Sequence, residues 1–120
     1  MTGRARRRAY RTGRRAEALC VLALRIKGYR ILARDIRTPV GEIDIVARRG
    51  RTLAVVEVKA RADAAQAAEA LTARQRARIA RAAAAFVGHR PALAGLDLRF
   101  DVMLVLPWRA PHHIMDAWRP

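Results

Sequence analysis

Cysteine is nearly absent, with Cys20 standing alone in 120 residues. A single thiol rules out an internal disulfide framework, so nothing points to an oxidising compartment. Lysine is almost as scarce: Lys27 and Lys59 are the only two, and just 10 acids face 25 cations. No Gly-rich phosphate loop, nucleophile elbow or CxxC motif occurs, which leaves out several familiar routes to catalysis. Long apolar runs are missing too. Residues 18–24 (ALCVLAL) follow an Arg-rich start and faintly mimic a secretory signal. No A-x-A-like cleavage site follows them, and Arg25 and Lys27 close the run off. It is far too short to span a bilayer. The expectation is a cytoplasmic protein with no membrane segment.

What is present is an excess of arginine. The formal charge is +15, while apolar residues make up 52% of the chain, enough to fill one modest core. A GC-rich genome would favour arginine over lysine, but it does not account for the shortage of acids. Clustered cations of this density suit a polyanion, whose condensed counterions they displace. Residues 1–15 carry seven arginines and no acid. Such a block repels itself, so residues 1–12 read as a basic, flexible arm ahead of a single α/β domain over 13–120.

Within that domain the pattern predicts a helix from about Arg14 to Lys27, stopped by Gly28, and a strand near Tyr29 to Ile36 that breaks at Thr38-Pro39. The runs Glu42 to Ala47 and Thr52 to Lys59 flank Arg48-Arg49-Gly50-Arg51 and read as an antiparallel hairpin turning at Gly50. The Ala-rich residues 60–71 suggest a loop and one helical turn. Thr72 and Gln75 form a T-x-x-Q capping box for a second helix that ends before Gly88. His89 to Asp97 reads as loop, Leu98 to Leu106 as a strand, and Ile114 to Trp118 as an edge strand. Helix, three strands, helix, strand implies an α/β sandwich around a mixed sheet, since a helical crossover sets a later strand parallel to an earlier one.

Four charged residues sit inside these strands. Alternation puts Glu42 and Asp44 on one face, and Glu57 and Lys59 on one face with Leu53 and Val55. Folding the hairpin brings Asp44 opposite or diagonal to Glu57, with Cβ atoms roughly 4.5–8 Å apart. Carboxylates that close repel one another. A divalent cation resolves the conflict, and hard oxygen ligands suit Mg²⁺ or Mn²⁺. Lys59 would reach the same pocket as a point charge, holding the attacking water or stabilising charge on a phosphate.

The array Asp44 followed by Glu57-Val58-Lys59 resembles the D-(D/E)-x-K core of the PD-(D/E)xK nucleases. More narrowly, the chain is similar to the small bacterial YraN-like family, itself similar to archaeal Holliday-junction resolvases. The segments that carry the likeness are Gly28-Tyr29-Arg30-Ile31-Leu32, Gly41-Glu42-Ile43-Asp44, Val56-Glu57-Val58-Lys59 and Arg99-Phe100-Asp101-Val102, in the family's order. The resemblance implies a restriction-endonuclease-like sandwich, with a mixed β-sheet flanked by helices. It also implies a role for Glu17, because the family's early G-E pair falls on Ala16-Glu17. Glu17 leads the helix face of Cys20, Val21 and Leu24, while its place in a first helical turn suits the helix dipole as well.

The resulting expectation is a metal-dependent endonuclease acting on DNA, with branched or junction DNA implied by the resolvase likeness. Asp44, Glu57, Lys59, Glu17 and Gln75 are the catalytic candidates, and Asp44, Glu57, Glu17 and the Val58 carbonyl the metal ligands. Arg14, Arg15, Arg48, Arg61, Arg74 and Arg78 are candidates for phosphate contact, and a homodimer also fits. Gln75 heads the face of Ile79, Ala82 and Phe86, and the capping box is its competing duty. The rival is a catalytically silent nucleic-acid-binding protein of the same fold. His112-His113 beside Asp116 have no further partner spaced to join them around a metal, Asp101 reads as half of a structural pair, and Trp108 and Trp118 read as core or edge packing.

Overall fold

A computed structural model describes residues 3–62 and 71–120, with side chains from Gly13 onward. The side chains of the expected arm, and most of the helical turn expected within 60–71, fall outside the described residues. The elements are α1 (Gly3–Ile26), β1 (Arg30–Thr38), β2 (Gly41–Arg49), β3 (Thr52–Ala60), α2 (Ala73–Gly88), β4 (Asp97–Val105) and β5 (His112–Trp118), with a 3₁₀ turn at Pro91–Leu93. Helix α1 thus starts at Gly3 rather than near Arg14, in keeping with the high helix propensity of arginine and alanine.

Local chemistry explains how the elements end. At the close of α1, Gly28 takes φ 90°, and the Gly28 and Tyr29 amides donate to the carbonyls of Arg25 and Leu24, both at 3.0 Å. This is a Schellman motif, with Tyr29 and Leu24 buried together beneath it. The chain leaves β1 at Thr38-Pro39, where the break was expected. It turns there, because the Thr38 hydroxyl accepts from the Gly41 amide at 3.1 Å and donates to the Gly41 carbonyl at 2.7 Å. Gly50, at φ 60°, turns β2 into β3. The Thr72–Gln75 capping box opens α2, with the Gln75 amide donating to Thr72 Oγ1 at 3.1 Å and Gln75 Oε1 accepting from the Thr72 amide at 2.8 Å.

The five strands form one sheet in the order β1-β2-β3-β4-β5. Only β3 and β4 run parallel, joined across α2, and the other pairs are antiparallel. The sheet is mixed, as expected. Helix α1 covers one face, where Cys20, Val21 and Leu24 pack on Ile45, Val56 and Met103. Helix α2 covers the other, where Ile79, Ala82 and Phe86 pack on Ile43, Val55 and Phe100. Each helix contributes one apolar stripe and each central strand two faces, which is what a three-layer packing requires.

Candidate active site

Ladder pairing between β2 and β3 runs from Arg49↔Thr52 to Ile45↔Val56 and goes no further. The next position would match Asp44 with Glu57. There the Asp44 side chain takes over from the backbone, accepting the Val58 amide on Oδ2 at 2.8 Å. The N–H and C=O of one strand residue point to the same side, so the Val58 carbonyl also faces the space that β2 vacates.

Strict alternation fails at this point. Ile43 packs under α2 while Ile45 packs under α1. On the neighbouring strand Arg34 matches Ile45 and Ile36 matches Ile43, and between them Asp35 adopts φ 48°. Both strands therefore change face together, so regular alternation does not hold around Asp44, although Glu42 and Asp44 still line one cavity. The inversion leaves Asp44 between the faces, lining an open cavity on each side of the sheet.

On the α2 side the cavity holds about 290 Å³ and is lined by Glu42, Asp44, Glu57, Gln75 and Arg78 over Leu71 and Ile79. Gly41 makes this closeness feasible: a Cβ there would lie 2.4 Å from the Arg78 carbonyl oxygen, so only glycine lets α2 settle against β2. On the α1 side about 210 Å³ is bordered by Arg14, Glu17, Asp35, Arg37, Asp44 and Val58.

The carboxyls feel one another. Burial pushes Glu57 up to about 8, helped by the charge of Asp44 and a side-chain hydrogen bond with it, and opposed by Lys59. Asp44 is also raised, first by burial and then by Glu17 and Asp35, against the Val58 amide and Glu57, which lower it. Lys59 is 7% exposed. Cys20 is pushed up to about 12 by burial, then by Asp44 and Glu17, which makes it an inert core thiol.

The structure brings Asp44, Glu57, Gln75 and Arg78 around one cavity, and Asp44, Glu17 and Arg14 around the other. Glu17 does not point unopposed at Asp44, because Arg34 Nε holds its Oε1 at 3.1 Å. Among the described residues no group of three or more His, Cys, Asp and Glu side chains is arranged to hold a metal. Arg15 and Arg74 are exposed on α1 and α2, and Arg61 follows β3 at the site's end of the sheet. Arg48 lies apart, bonding the Gly50 carbonyl at the opposite end of the hairpin. Sequence reasoning missed Arg34 and the packing duty of Gly41. The first is set by a register shift in β1 between Ile31 and Ala33, which no local pattern announces. The glycine opening the Gly-Glu-Ile-Asp segment was the available signal for the second.

Asp101 does belong to a structural cluster. Its carboxylate is fully buried and accepts both Arg99 Nε and Arg99 Nη2 at 2.8 Å, the Asp116 amide at 3.0 Å and His113 Nε2 at 2.7 Å. Lys27 Nζ lies 2.9 Å from His113 Nδ1, so His113 is engaged on both ring nitrogens. Trp118 packs on Phe100 with ring centroids 4.3 Å apart. The packing expected of Trp108 is not found, since that residue is wholly exposed.

An α/β protein with a five-stranded mixed sheet between two helices, and with paired carboxyls where two strands part, is the class defined by these features. The chain belongs to the uncharacterised protein family UPF0102, whose family model matches residues 16–105 and so spans all four motif segments. It is 62% identical over 112 residues to a UPF0102 protein of Parvibaculum lavamentivorans, covering 93% of this chain and 84% of that one. A UPF0102 protein of Paramagnetospirillum magneticum is 55% identical over 120 residues, covering 97% and 93%. One from Caulobacter vibrioides is 47% identical over 110 residues, covering 92% and 88%. No helix among the described residues is long and apolar enough to cross a membrane.

Proposed function

We propose that the chain is a metal-dependent endonuclease of the PD-(D/E)xK kind, with a restriction-endonuclease-like fold, hydrolysing phosphodiester bonds in cytoplasmic DNA. The observation that carries this reading is the Asp44–Glu57 pair, two half-buried carboxyls on parting strands with Glu57 raised to about 8 and Lys59 two residues beyond. Their repulsion works against the fold when no cation is present, and a divalent ion relieves it. The donors are hard oxygens beside an open cavity, which suits Mg²⁺ or Mn²⁺. Asp44, Glu57 and the Val58 carbonyl would hold the ion, joined by Glu17 once it leaves Arg34. When bound, it supplies Lewis acidity at the phosphate.

The protein's own groups do the rest. The Lys59 ammonium donates to the attacking water and stabilises the negative charge that grows on the phosphate oxygens. Gln75 orients water at the cavity mouth through its amide nitrogen, its oxygen being held by Thr72. Arg78, Arg74, Arg61, Arg14 and Arg15 contact backbone phosphates. None of these groups reads a base edge, so DNA shape selects the substrate, with branched or junction DNA the favoured kind. A homodimer is compatible with such a substrate.

A second reading, a catalytically silent nucleic-acid binder of the same fold, draws support from the Glu17–Arg34 pair and from the lack of a third convergent ligand among the described residues. The deciding experiment incubates the protein with labelled linear, flap and four-way-junction DNA, in Mn²⁺ or in EDTA, alongside Glu57→Ala and Lys59→Ala. Metal-dependent cleavage lost in both variants is expected. Binding without cleavage, unchanged in the variants, would sink the enzyme and leave the binder standing.

A further inference from the structure

Tryptophan is normally the side chain with most to gain from burial. Trp118 follows that rule, yet Trp108 has a relative exposure of 103%. Its backbone sits at φ 62°, a left-handed conformation that a bulky L-residue rarely adopts. The turn that holds it lies between β4 and β5, within Pro107-Trp108-Arg109-Ala110-Pro111, and is closed by the Arg109 amide donating to the Leu106 carbonyl at 3.4 Å. A fully exposed indole adds nothing to the core, so packing does not explain this residue.

The topology explains where it points its use. Because β4 runs parallel to β3, Lys59 is level with Leu104 and Ala60 with Val105, and the Arg61 amide donates to the Val105 carbonyl at 3.0 Å. Both strands therefore finish at the end of the sheet where Glu57 and Lys59 lie. Trp108 lies four positions beyond Leu104. At about 3.3 Å per residue plus one strand spacing of about 4.8 Å, Trp108 stays within roughly 18 Å of the Lys59 backbone. That is a reach of about five nucleotides of a stacked strand. Arg109 beside it and Arg61, which follows β3, supply the cations for the intervening phosphates.

We infer that Trp108 is a base-stacking residue, and that the β4–β5 turn binds an unpaired nucleobase beside the carboxylate site. The inference rests on the nucleic-acid reading above and narrows its substrate class. An exposed indole with Arg109 next to it in sequence and Arg61 at the same end of the sheet matches a nucleic acid strand, whose bases stack on the ring while the phosphates meet the cations. A base within a continuous duplex has both faces covered by its neighbours. Only a flap, a gap, a loop or a branch offers a free face. Trp108 thus selects nucleic acid with unpaired bases close to the scissile phosphate.

The test measures affinity by fluorescence anisotropy at one fixed salt concentration and in EDTA, so that no cleavage intrudes. The full-length protein, Trp108→Ala and Trp108→Phe are each titrated with four labelled oligonucleotides: a single strand, a flap, a continuous duplex and a single strand made of abasic sites. Trp108→Ala is expected to bind the single strand and the flap about 5- to 150-fold more weakly, the range of one lost stack. The duplex should be unaffected and Trp108→Phe should keep most of the affinity. Removing the bases should cost the unaltered protein a similar factor and cost Trp108→Ala little. Equal loss on duplex and single strand, or no loss on either, overturns the inference while leaving nucleic-acid binding intact. If the unaltered protein binds none of the four, the functional reading itself fails, which is a different result.

Discussion

At Gly41 the absence of a side chain decides how close a helix can come. The Arg78 carbonyl oxygen occupies the space a Cβ would need, at 2.4 Å, and backbone cannot swing aside as a side chain can. Gly41→Ala is therefore expected to lower stability by about 1–3 kcal/mol, read as a fall in Tm. Gly88→Ala, where an added Cβ meets nothing within 4 Å, is the matched control and should not. Equal effects at both positions would remove the packing argument. Glu57 makes the other residue-scale prediction. Its carboxyl is raised from 4.5 to about 8 by burial and by Asp44, so the folded chain keeps a proton that the unfolded chain releases. Stability of the metal-free protein must then fall as pH rises across that window and level off above it. Glu57→Gln should flatten the decline and melt higher at pH 8, and added Mn²⁺ should raise the Tm of the unaltered protein more at pH 8 than at pH 6, because the ion displaces that proton. An unchanged slope in Glu57→Gln would place the titration elsewhere.

Elements are held in register by one buried anion. Asp101, on β4, gathers Arg99 from its own strand, His113 and the Asp116 amide from β5, and through His113 reaches Lys27 at the end of α1. Burial alone would raise its carboxyl, but His113, Arg99 and the Asp116 amide hold it below the ordinary value. β5 is an edge strand with most of its residues exposed, so this anion does more to fix it than apolar contact does. Asp101→Asn removes the buried charge and replaces one of the two accepting oxygens with an NH2 donor facing the donors around it, at a cost of about 3–5 kcal/mol. Hydrogen exchange should then rise first in β5, with β3 protected until global unfolding. Uniform exchange across the sheet would show that the cluster holds nothing in particular. The Glu-x-Lys strand, the Schellman stop at Gly28 and the capping box were all legible, because each depends on residues a few positions apart. The change of face at Asp44 was not. It requires β1 and β2 to twist together, and the left-handed Asp35 that accompanies it lies on a strand the local pattern treats separately.

For the whole molecule, a charge of +15 acts at long range, yet the arginines do not all lie where a strand would pass. Arg78 borders the cavity beside Asp44 and Glu57. Arg48 is bound to the Gly50 carbonyl at the far end of the same hairpin. Affinity for duplex DNA should fall steeply with salt, and Arg78→Ala should reduce the slope of log K against log salt by about 1. Arg48→Ala should leave the slope nearly unchanged. Equal reductions would mean that the basic surface acts as a diffuse cloud and not as a path across the site.

By itself the sequence determined the α/β class, the hairpin, the parallel crossover through α2 and the pairing of Asp44 with Glu57. All of these follow from periodicity, turn chemistry and contacts across one short turn. Tertiary structure alone decided that Glu17 is tied to Arg34, that Gly41 seats α2 and that Trp108 stands in solvent. Each of those depends on where distant segments come to rest, and on which atoms fill or vacate a space several strands away.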